Sequence, residues 1–255
     1  MDLPMQIDLS GRVAAVTGGG GVLGRTMAEA LAQCGAKVAV CNRRAETNQK
    51  VAADIREAGG EAVGISCDVT DRESLEQGFS ELENTYGTCD ILINGAGGND
   101  PRATAGKSFV TPEDVTGKDE GQTSFFDLDP AGVEKVFGIN FTGTLLTTQV
   151  FGRKMSEQGK GCIVNISSMN SFTPLTKIVA YSAAKAAINN FTQWLAVHLA
   201  GTGVRVNAIA PGFFLTEQNA RLLTNEDDSL TERGQTIISH TPMGRFGKSE
   251  DLVGT

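Results

Sequence analysis

Arg12-Val13-Ala14-Ala15-Val16-Thr17 runs directly into Gly18-Gly19-Gly20-Gly21-Val22-Leu23-Gly24, and a helical pattern follows through Ala36. After Arg12 the first stretch is short and continuously apolar, the mark of a strand buried on both faces. The glycines then clear β-carbons from the turn, so the backbone can approach an anion. The helix that follows offers that anion the free N–H groups of its amino terminus. A glycine run elsewhere would read as a flexible turn; between a buried strand and an amphipathic helix it predicts a phosphate cradle.

Working outward, Lys37–Cys41 is the second strand and ends in Asn42-Arg43-Arg44. In dinucleotide folds an acid at this point grips a ribose 2′-hydroxyl, whereas an arginine accepts a 2′-phosphate. No acid stands here, so Asn42 and Arg43 lean towards the phosphorylated cofactor, the plainer alternative being that both arginines are solvated. Ala45–Ala58 is a helix stopped by Gly59-Gly60, Glu61–Cys67 a third strand with Asp68 at its end, and Asp71–Tyr86 a further helix with acids near its positive end. Cys89–Ile93 is the fourth strand and opens into Asn94-Gly95-Ala96-Gly97-Gly98. This alternation predicts an α/β fold with a Rossmann-type, doubly wound parallel sheet whose ligands gather at the strand carboxyl ends.

From Asn99 to about Asp127 the periodicity lapses among prolines, glycines and charges of both signs. An irregular connection of this length inside a compact domain is functional or disordered. Leaving a central strand end, it reads as a substrate-side flap. Asp129–Gln158 is expected to be one long helix carrying Asn140, and Gly161–Ile166 a fifth strand delivering Ser167 and Ser168. Val179–Leu199 is a helix on which Tyr181 and Lys185 project from the same face, one turn apart. An unperturbed phenol titrates at about 10, and a cation held beside it can lower that by roughly 1–3 units. Lys185 is placed to do so. Val204–Ala210 is the sixth strand, followed by Pro211-Gly212, polar helical segments to His240, and a helix start at Ser249. No repeat or linker breaks the 255 residues, which fit one domain.

Bulk properties exclude several function classes. A formal net charge of −8 argues against nucleic acid and anionic membranes as partners, and means that an anionic substrate needs a local cation. The five cysteines are odd in number and form no C-x-x-C pair, so they read as free thiols in a reducing compartment, without a metal site. No signal-like amino terminus or membrane-length apolar run is present, and a cytoplasmic protein is expected.

The ordered set Thr17-Gly18…Gly24, Asp68, Asn94-Gly95-Ala96-Gly97, Asn140, Ser168, Tyr181/Lys185 and Pro211-Gly212…Thr216 resembles the short-chain dehydrogenase/reductase superfamily over the whole chain. Stretches such as Ile91–Gly98, Asn165–Thr176 and Phe191–Val197 look more narrowly like its D-mannonate oxidoreductase (fructuronate reductase) branch. The resemblance implies an enzyme transferring hydride between NAD or NADP and a CH–OH group. Tyr181 would be its general acid/base, Lys185 would tune Tyr181 and bond the cofactor ribose, Ser168 would hold the substrate oxygen, and Asn140 would anchor a proton relay. It places the cofactor along Gly18, Gly20, Gly21, Val22, Leu23 and Gly24, at Asn42 and Arg43, against Asp68 and Val69, along Asn94, Gly95 and Ala96, beside Tyr181 and Lys185, and at Pro211, Gly212, Phe214 and Thr216. Val22 departs from the family's glycine pattern, with Gly21 beside it keeping the turn permissive. The family also continues through another helix and a closing strand, so the sequence is expected to be incomplete at its carboxyl end. Homotetramers packed through the two long helices are the family expectation, with Trp194 in the core or at that interface.

For a sugar-acid substrate the carboxylate partner is expected to be Lys177, on the segment between Ser168 and Tyr181, with Arg102 of the flap as second candidate. Other polyols, gluconate, a 3-oxoacyl group, or a silent dinucleotide sensor on the same fold are the competing functions.

Overall fold

Along the chain the elements are β1 (Val13–Thr17), α1 (Val22–Gln33), β2 (Lys37–Asn42), α2 (Ala45–Glu57), β3 (Glu61–Ser66), α3 (Arg72–Tyr86) and β4 (Ile91–Asn94). They continue with α4 (Pro112–Thr116), α5 (Pro130–Phe137), α6 (Gly143–Glu157), β5 (Gly161–Ile166), α7 (Val179–His198), β6 (Val204–Ile209), α8 (Ala220–Leu223) and α9 (Glu232–Ser239). The computed structural model describes residues 7–116, 123–216, 220–225 and 227–255. Its six strands lie in the order β3-β2-β1-β4-β5-β6, every pair parallel, as the βαβ alternation requires. The order reverses between β1 and β4, and this switch point opens the crevice in which such sheets hold ligands.

The two faces of β1 separate two cores, because successive strand residues point to opposite sides. Ala14 and Val16 join Val38 and Val40 against Met27 and Ala28 of α1 and Val51 and Ile55 of α2. Val13 and Ala15 belong to the other face, where Ile65, Leu92 and Ile163 meet Leu75 and Leu82 of α3, Phe151 and Met155 of α6, and Leu195 of α7. Phe79 and Phe151 meet edge to face at 5.0 Å and tie α3 to α6. β1 is buried along its whole length, whereas β6 alternates buried with exposed and is an edge strand.

Three expectations need adjustment. The helix expected over Asp129–Gln158 is divided: α5 and α6 are joined by a π-helical stretch, Gly138–Thr142, centred on Asn140. Such wide turns open the i→i−4 ladder and cluster at functional sites. The flap carries short structure of its own, a 3₁₀ turn at Pro101–Ala103, α4, and another turn at Phe125–Asp127, while 117–122 lies outside the described residues. Near the carboxyl end the helix expected to start at Ser249 is a single 3₁₀ turn, Ser249–Leu252, capped at Lys248, whose N–H donates to Asp251 at 2.8 Å. Asp71 does cap α3, accepting from Glu73 N–H at 2.9 Å. All five cysteines are free thiols. Among the described residues no helix is long and apolar enough to cross a membrane, and no side-chain cluster could hold a metal ion.

Candidate active site

Thr17 locks the switch point. Its hydroxyl donates to the Ile93 carbonyl at 3.3 Å and accepts from the N–H groups of Gly95 and Ala96 at 3.1 and 3.3 Å. The two strand ends are thereby brought so close that a β-carbon on Gly18, which has a φ of +68°, would lie 2.7 Å from the Gly95 carbonyl oxygen. At Gly24 a β-carbon would stand 2.2 Å from the Gly18 carbonyl oxygen, which no side chain tolerates. The first backbone bond of α1 runs from Arg25 to Gly21 at 2.7 Å, so the N–H groups of Val22, Leu23 and Gly24 have no acceptor in the helix. No side chain caps this terminus and its first turn holds no acid. Open backbone, free donors and a positive helix end fit a diphosphate.

At the β2 end, Asn42 lies against this loop, its Nδ2 standing 2.8 Å from where a Gly20 β-carbon would be. Arg43 is well exposed, with one guanidinium nitrogen 3.9 Å from Asp68 Oδ2. Asp68 Oδ1 is already occupied by the Thr70 N–H and hydroxyl at 2.9 and 2.7 Å, leaving Oδ2 to Arg43. Val69 is buried and packs where a Gly143 β-carbon would lie. Asn94 differs from expectation. Its carboxamide is turned down into the sheet, donating to Thr148 Oγ1 at 3.0 Å and Asn165 Oδ1 at 2.8 Å, so only its backbone faces the crevice. A polar side chain 2% exposed between two apolar faces must find internal partners, and the neighbouring strand and α6 provide them.

Across the crevice, Ser168, Tyr181, Lys185 and Asn140 come together. Ser168 starts a 3₁₀ turn, Met169–Ser171; its Oγ accepts from the Asn170 N–H at 3.2 Å and is hydrogen-bonded to the Tyr181 hydroxyl. Lys185 Nζ lies 5.7 Å from the Tyr181 ring centre and donates to the Ile166 carbonyl at 2.7 Å. Gly97 locates the fourth member: a β-carbon there would sit 2.6 Å from Asn140 Oδ1 and 3.3 Å from Lys185 Nζ. Gly97 is thus a site position that sequence reasoning left unassigned, although it stood inside the Asn94–Gly97 motif. Asn140 is fully buried, donating from Nδ2 to the Gly98 and Val136 carbonyls at 2.7 and 2.8 Å.

The electrostatics reverse one expectation. Lys185 does not depress the Tyr181 phenol here. Burial pushes that phenol up, with the Ser168 hydrogen bond working against the rise. Ala103, Val136, Ala180 and Ala184 form the apolar shelf against which its ring packs. The same burial holds Lys185 at about 8. Low polarity disfavours the charged form of each group, phenolate and ammonium alike.

The β6 end completes the edge. Ser167 N–H bonds to the Ile209 carbonyl at 2.8 Å and Met169 N–H to the Pro211 carbonyl at 2.9 Å, setting Pro211 and Gly212 beside the serine turn. Phe214 bridges to Gly247, and the Thr216 carbonyl accepts from Ala220 at 2.8 Å. Lys177 lies half-buried on the segment before α7, and its carbonyl takes the Ala105 N–H at 2.8 Å, so the flap is zipped to this edge. Among the described residues it makes no ion pair. Arg102 is engaged elsewhere. Its guanidinium forks onto Asp100 at 3.1 and 3.2 Å and reaches Asp129 at 3.3 Å, while Lys135 adds a second cation to Asp100 at 3.0 Å. A carboxylate as buried as Asp100 requires such partners, so Arg102 is withdrawn as a substrate contact. Trp194 is not core: it is 57% exposed and stacks on His198 at 4.5 Å.

A model of the short chain dehydrogenase family matches residues 12–227. The chain is 51% identical over 253 residues to the uncharacterized oxidoreductase UxuB of Bacillus subtilis (strain 168), covering 99% of this chain and 89% of that protein. The solved structure of a protein from Haemophilus influenza, provisionally named a D-mannonate oxidoreductase and holding NAD, superposes with a TM-score of 0.91. It shares 47% identity over 97% of this chain and 87% of its own. That of a Beutenbergia cavernae protein, provisionally named an NAD(P) dependent gluconate 5-dehydrogenase and holding NADP at low occupancy, gives 0.78 at 33% identity, over 98% and 89%. With the switch-point cradle, the Ser168–Tyr181–Lys185 edge and a family match spanning most of the sequence, the chain belongs to the short-chain dehydrogenases and is an oxidoreductase.

Proposed function

We propose that this protein is an NAD(P)-dependent oxidoreductase that interconverts the carbinol of a sugar acid and the corresponding ketone, D-mannonate and D-fructuronate being the leading pair. The observation that carries the reading is the edge on which Ser168 and Tyr181 share a hydrogen bond and a half-buried cation, Lys177, without an ion-pair partner among the described residues, lies between them in sequence. The Haemophilus neighbour's name and bound NAD support the same choice. A gluconate substrate is the second reading, favoured by the Beutenbergia neighbour.

A nicotinamide dinucleotide, when bound, supplies the hydride chemistry. The α1 amino terminus would hold its diphosphate, and Asn42, Arg43 and Asp68 its adenosine end. Tyr181 would exchange a proton with the substrate oxygen and Ser168 would polarise that oxygen, its own Oγ fixed by the Asn170 N–H. Lys185 would bond the ribose, and Asn140, held by Gly98 and Val136, would anchor the path by which the proton leaves. We place the protein in the cytoplasm and assign it a homotetramer; Trp194 and Val197, both exposed on α7, offer the apolar contact.

Nicotinamide absorbance with D-mannonate, D-fructuronate, D-gluconate, mannitol and a 3-hydroxyacyl thioester tests the substrate. Turnover confined to the thioester, or no turnover at all, removes the sugar-acid reading. Lys177→Met is expected to raise KM for the sugar acid about tenfold or more, since a hydrogen bond to a charged group is worth roughly 1.5–3 kcal/mol, and to leave KM for the cofactor and for mannitol nearly unchanged. Equal KM changes for the charged and neutral substrates would take Lys177 out of the site.

Cofactor choice turns on Arg43. Asn42 brings no negative charge to repel a 2′-phosphate, and Arg43 is loosely held by Asp68. NADP(H) is expected to be the better cofactor, with Arg43→Ala lowering kcat/KM for it by about tenfold and hardly affecting NAD. A strong NAD preference that Arg43→Ala does not alter would refute this.

A further inference from the structure

We propose that Asn189 is a positioning residue for the reaction: through the Ser171 hydroxyl it fixes the Ser168 peptide, and so holds Ser168 Oγ against the Tyr181 hydroxyl. The inference takes the roles of Ser168 and Tyr181 from the reading above; which substrate is turned over does not enter it.

The peptide between Ser168 and Met169 is gripped at both ends. Its N–H donates to the Pro211 carbonyl at 2.9 Å. Its carbonyl, that of Ser168, accepts from the Ser171 N–H at 3.0 Å and from the Ser171 hydroxyl at 2.5 Å. A hydroxyl has one proton to give. Asn189 Nδ2 donates to Ser171 Oγ at 2.7 Å, which occupies a lone pair there and leaves that proton for the Ser168 carbonyl. Without Asn189 the Ser171 hydroxyl can turn its proton to Ser167 Oγ, 3.3 Å away, and release the carbonyl.

The place of Asn189 in the fold gives this tie its sense. Tyr181, Lys185 and Asn189 stand at i, i+4 and i+8 on α7, on successive turns of one side. The helix therefore meets Ser168 at two points. Tyr181 bonds its hydroxyl, and Asn189, two turns further on, holds its carbonyl by way of Ser171. The Asn170 N–H that donates to Ser168 Oγ at 3.2 Å belongs to the same turn, so the brace steadies that bond as well.

The test measures kcat on whichever compound of the panel above turns over best, in wild type, Asn189→Leu and Ser171→Ala. It repeats Asn189→Leu in a Ser168→Ala background. Leucine keeps the volume of asparagine, and Ser171→Ala breaks the same chain of bonds from its other end should the first variant not fold. Each single variant is expected to lose roughly tenfold in kcat, because small misplacements of a reacting group are costly, with cofactor KM within about twofold. Combining the two should cost no more than either alone, and Asn189→Leu should cost nothing further once Ser168 is replaced. An equal loss in both backgrounds would show a general structural role and overturn the proposal while leaving Ser168 its own. Full kcat in Ser168→Ala would remove that role and the proposal with it.

A second readout needs no substrate. The chain has two tyrosines, Tyr86 and Tyr181, so in a Tyr86→Phe protein the tyrosinate absorbance titrates Tyr181 alone. The Ser168 bond works against the rise that burial imposes on this phenol, and Lys185, the cation beside it, is kept in every variant. Asn189→Leu should therefore move the titration to higher pH, as Ser168→Ala does, and the two together no further than Ser168→Ala alone. A titration that Asn189→Leu leaves in place would overturn the proposal, whether or not any sugar acid is turned over.

Discussion

Tyr181→Phe is expected to lower kcat by about a thousandfold, within the 10²–10⁴ that positioned proton transfer contributes, while cofactor affinity stays within about threefold. The ring keeps its shelf of Ala103, Val136, Ala180 and Ala184, so only the hydroxyl and its bond to Ser168 are lost. The pH profile supplies a second signature. Because burial raises the phenol, the wild-type oxidation rate should climb with pH over the alkaline range as the phenolate forms, and that limb should vanish in the variant. Steady-state kinetics across pH, with cofactor titration followed by fluorescence, measure both. A Phe variant retaining most of kcat, or retaining the alkaline limb, would mean that another group moves the proton.

Lys185→Met is expected to separate activity from stability. Turnover should fall at least a hundredfold, because the nicotinamide ribose loses the bond that positions it beside Tyr181, yet the cofactor-free protein at pH 7 should become more stable by about 1–2 kcal/mol, because a buried ammonium is replaced by an apolar chain of similar length. The gain is less than the full cost of the charge, since the Ile166 carbonyl loses its 2.7 Å donor. The sign with pH follows from the folded value of about 8 lying below the unfolded value near 10.4. Between them the unfolded chain holds the extra proton, so wild-type stability from this group rises with pH across that window. The advantage of the Met variant should therefore be fully present below pH 8 and shrink as pH rises towards 10. Urea denaturation at pH 7 and pH 9.5 checks this; a destabilised variant at pH 7, or a gap that widens with pH, would contradict the burial account.

What could be read in the chain beforehand depended on how local the cause was. The apolar run Val13–Thr17, the glycines after it and the alternating helices declare themselves through periodicity and turn chemistry, and the sheet order follows from them. Tyr181 and Lys185 share a face because helical spacing makes them do so. Other features depend on distant partners. Asn94 turns away from the cleft because Asn165 and Thr148, far along the chain, offer it hydrogen bonds. Arg102 is lost to the substrate because Asp100 folds under it and Asp129 closes on it. The direction of the Tyr181 shift depends on how deeply α5 and the flap cover the ring, which no spacing encodes. The π stretch at Asn140 is invisible to a hydrophobic pattern, which reads α5 and α6 as one helix.

That stretch has a mechanical consequence. One extra residue in a helical turn advances the phase of everything beyond it by about 100°. α5 and α6 therefore act like two gears on one shaft, cut with their teeth out of step. α5 meshes with the flap: Gly132 admits Arg102 so closely that a β-carbon there would lie 2.8 Å from Arg102 Cβ, and Lys135 grips Asp100. α6 meshes with the core through Phe151 against Phe79. A twist imposed on α5 would be taken up first at the wide turn, where Asn140 sits, and the sheet that holds the cofactor cradle need not turn with it.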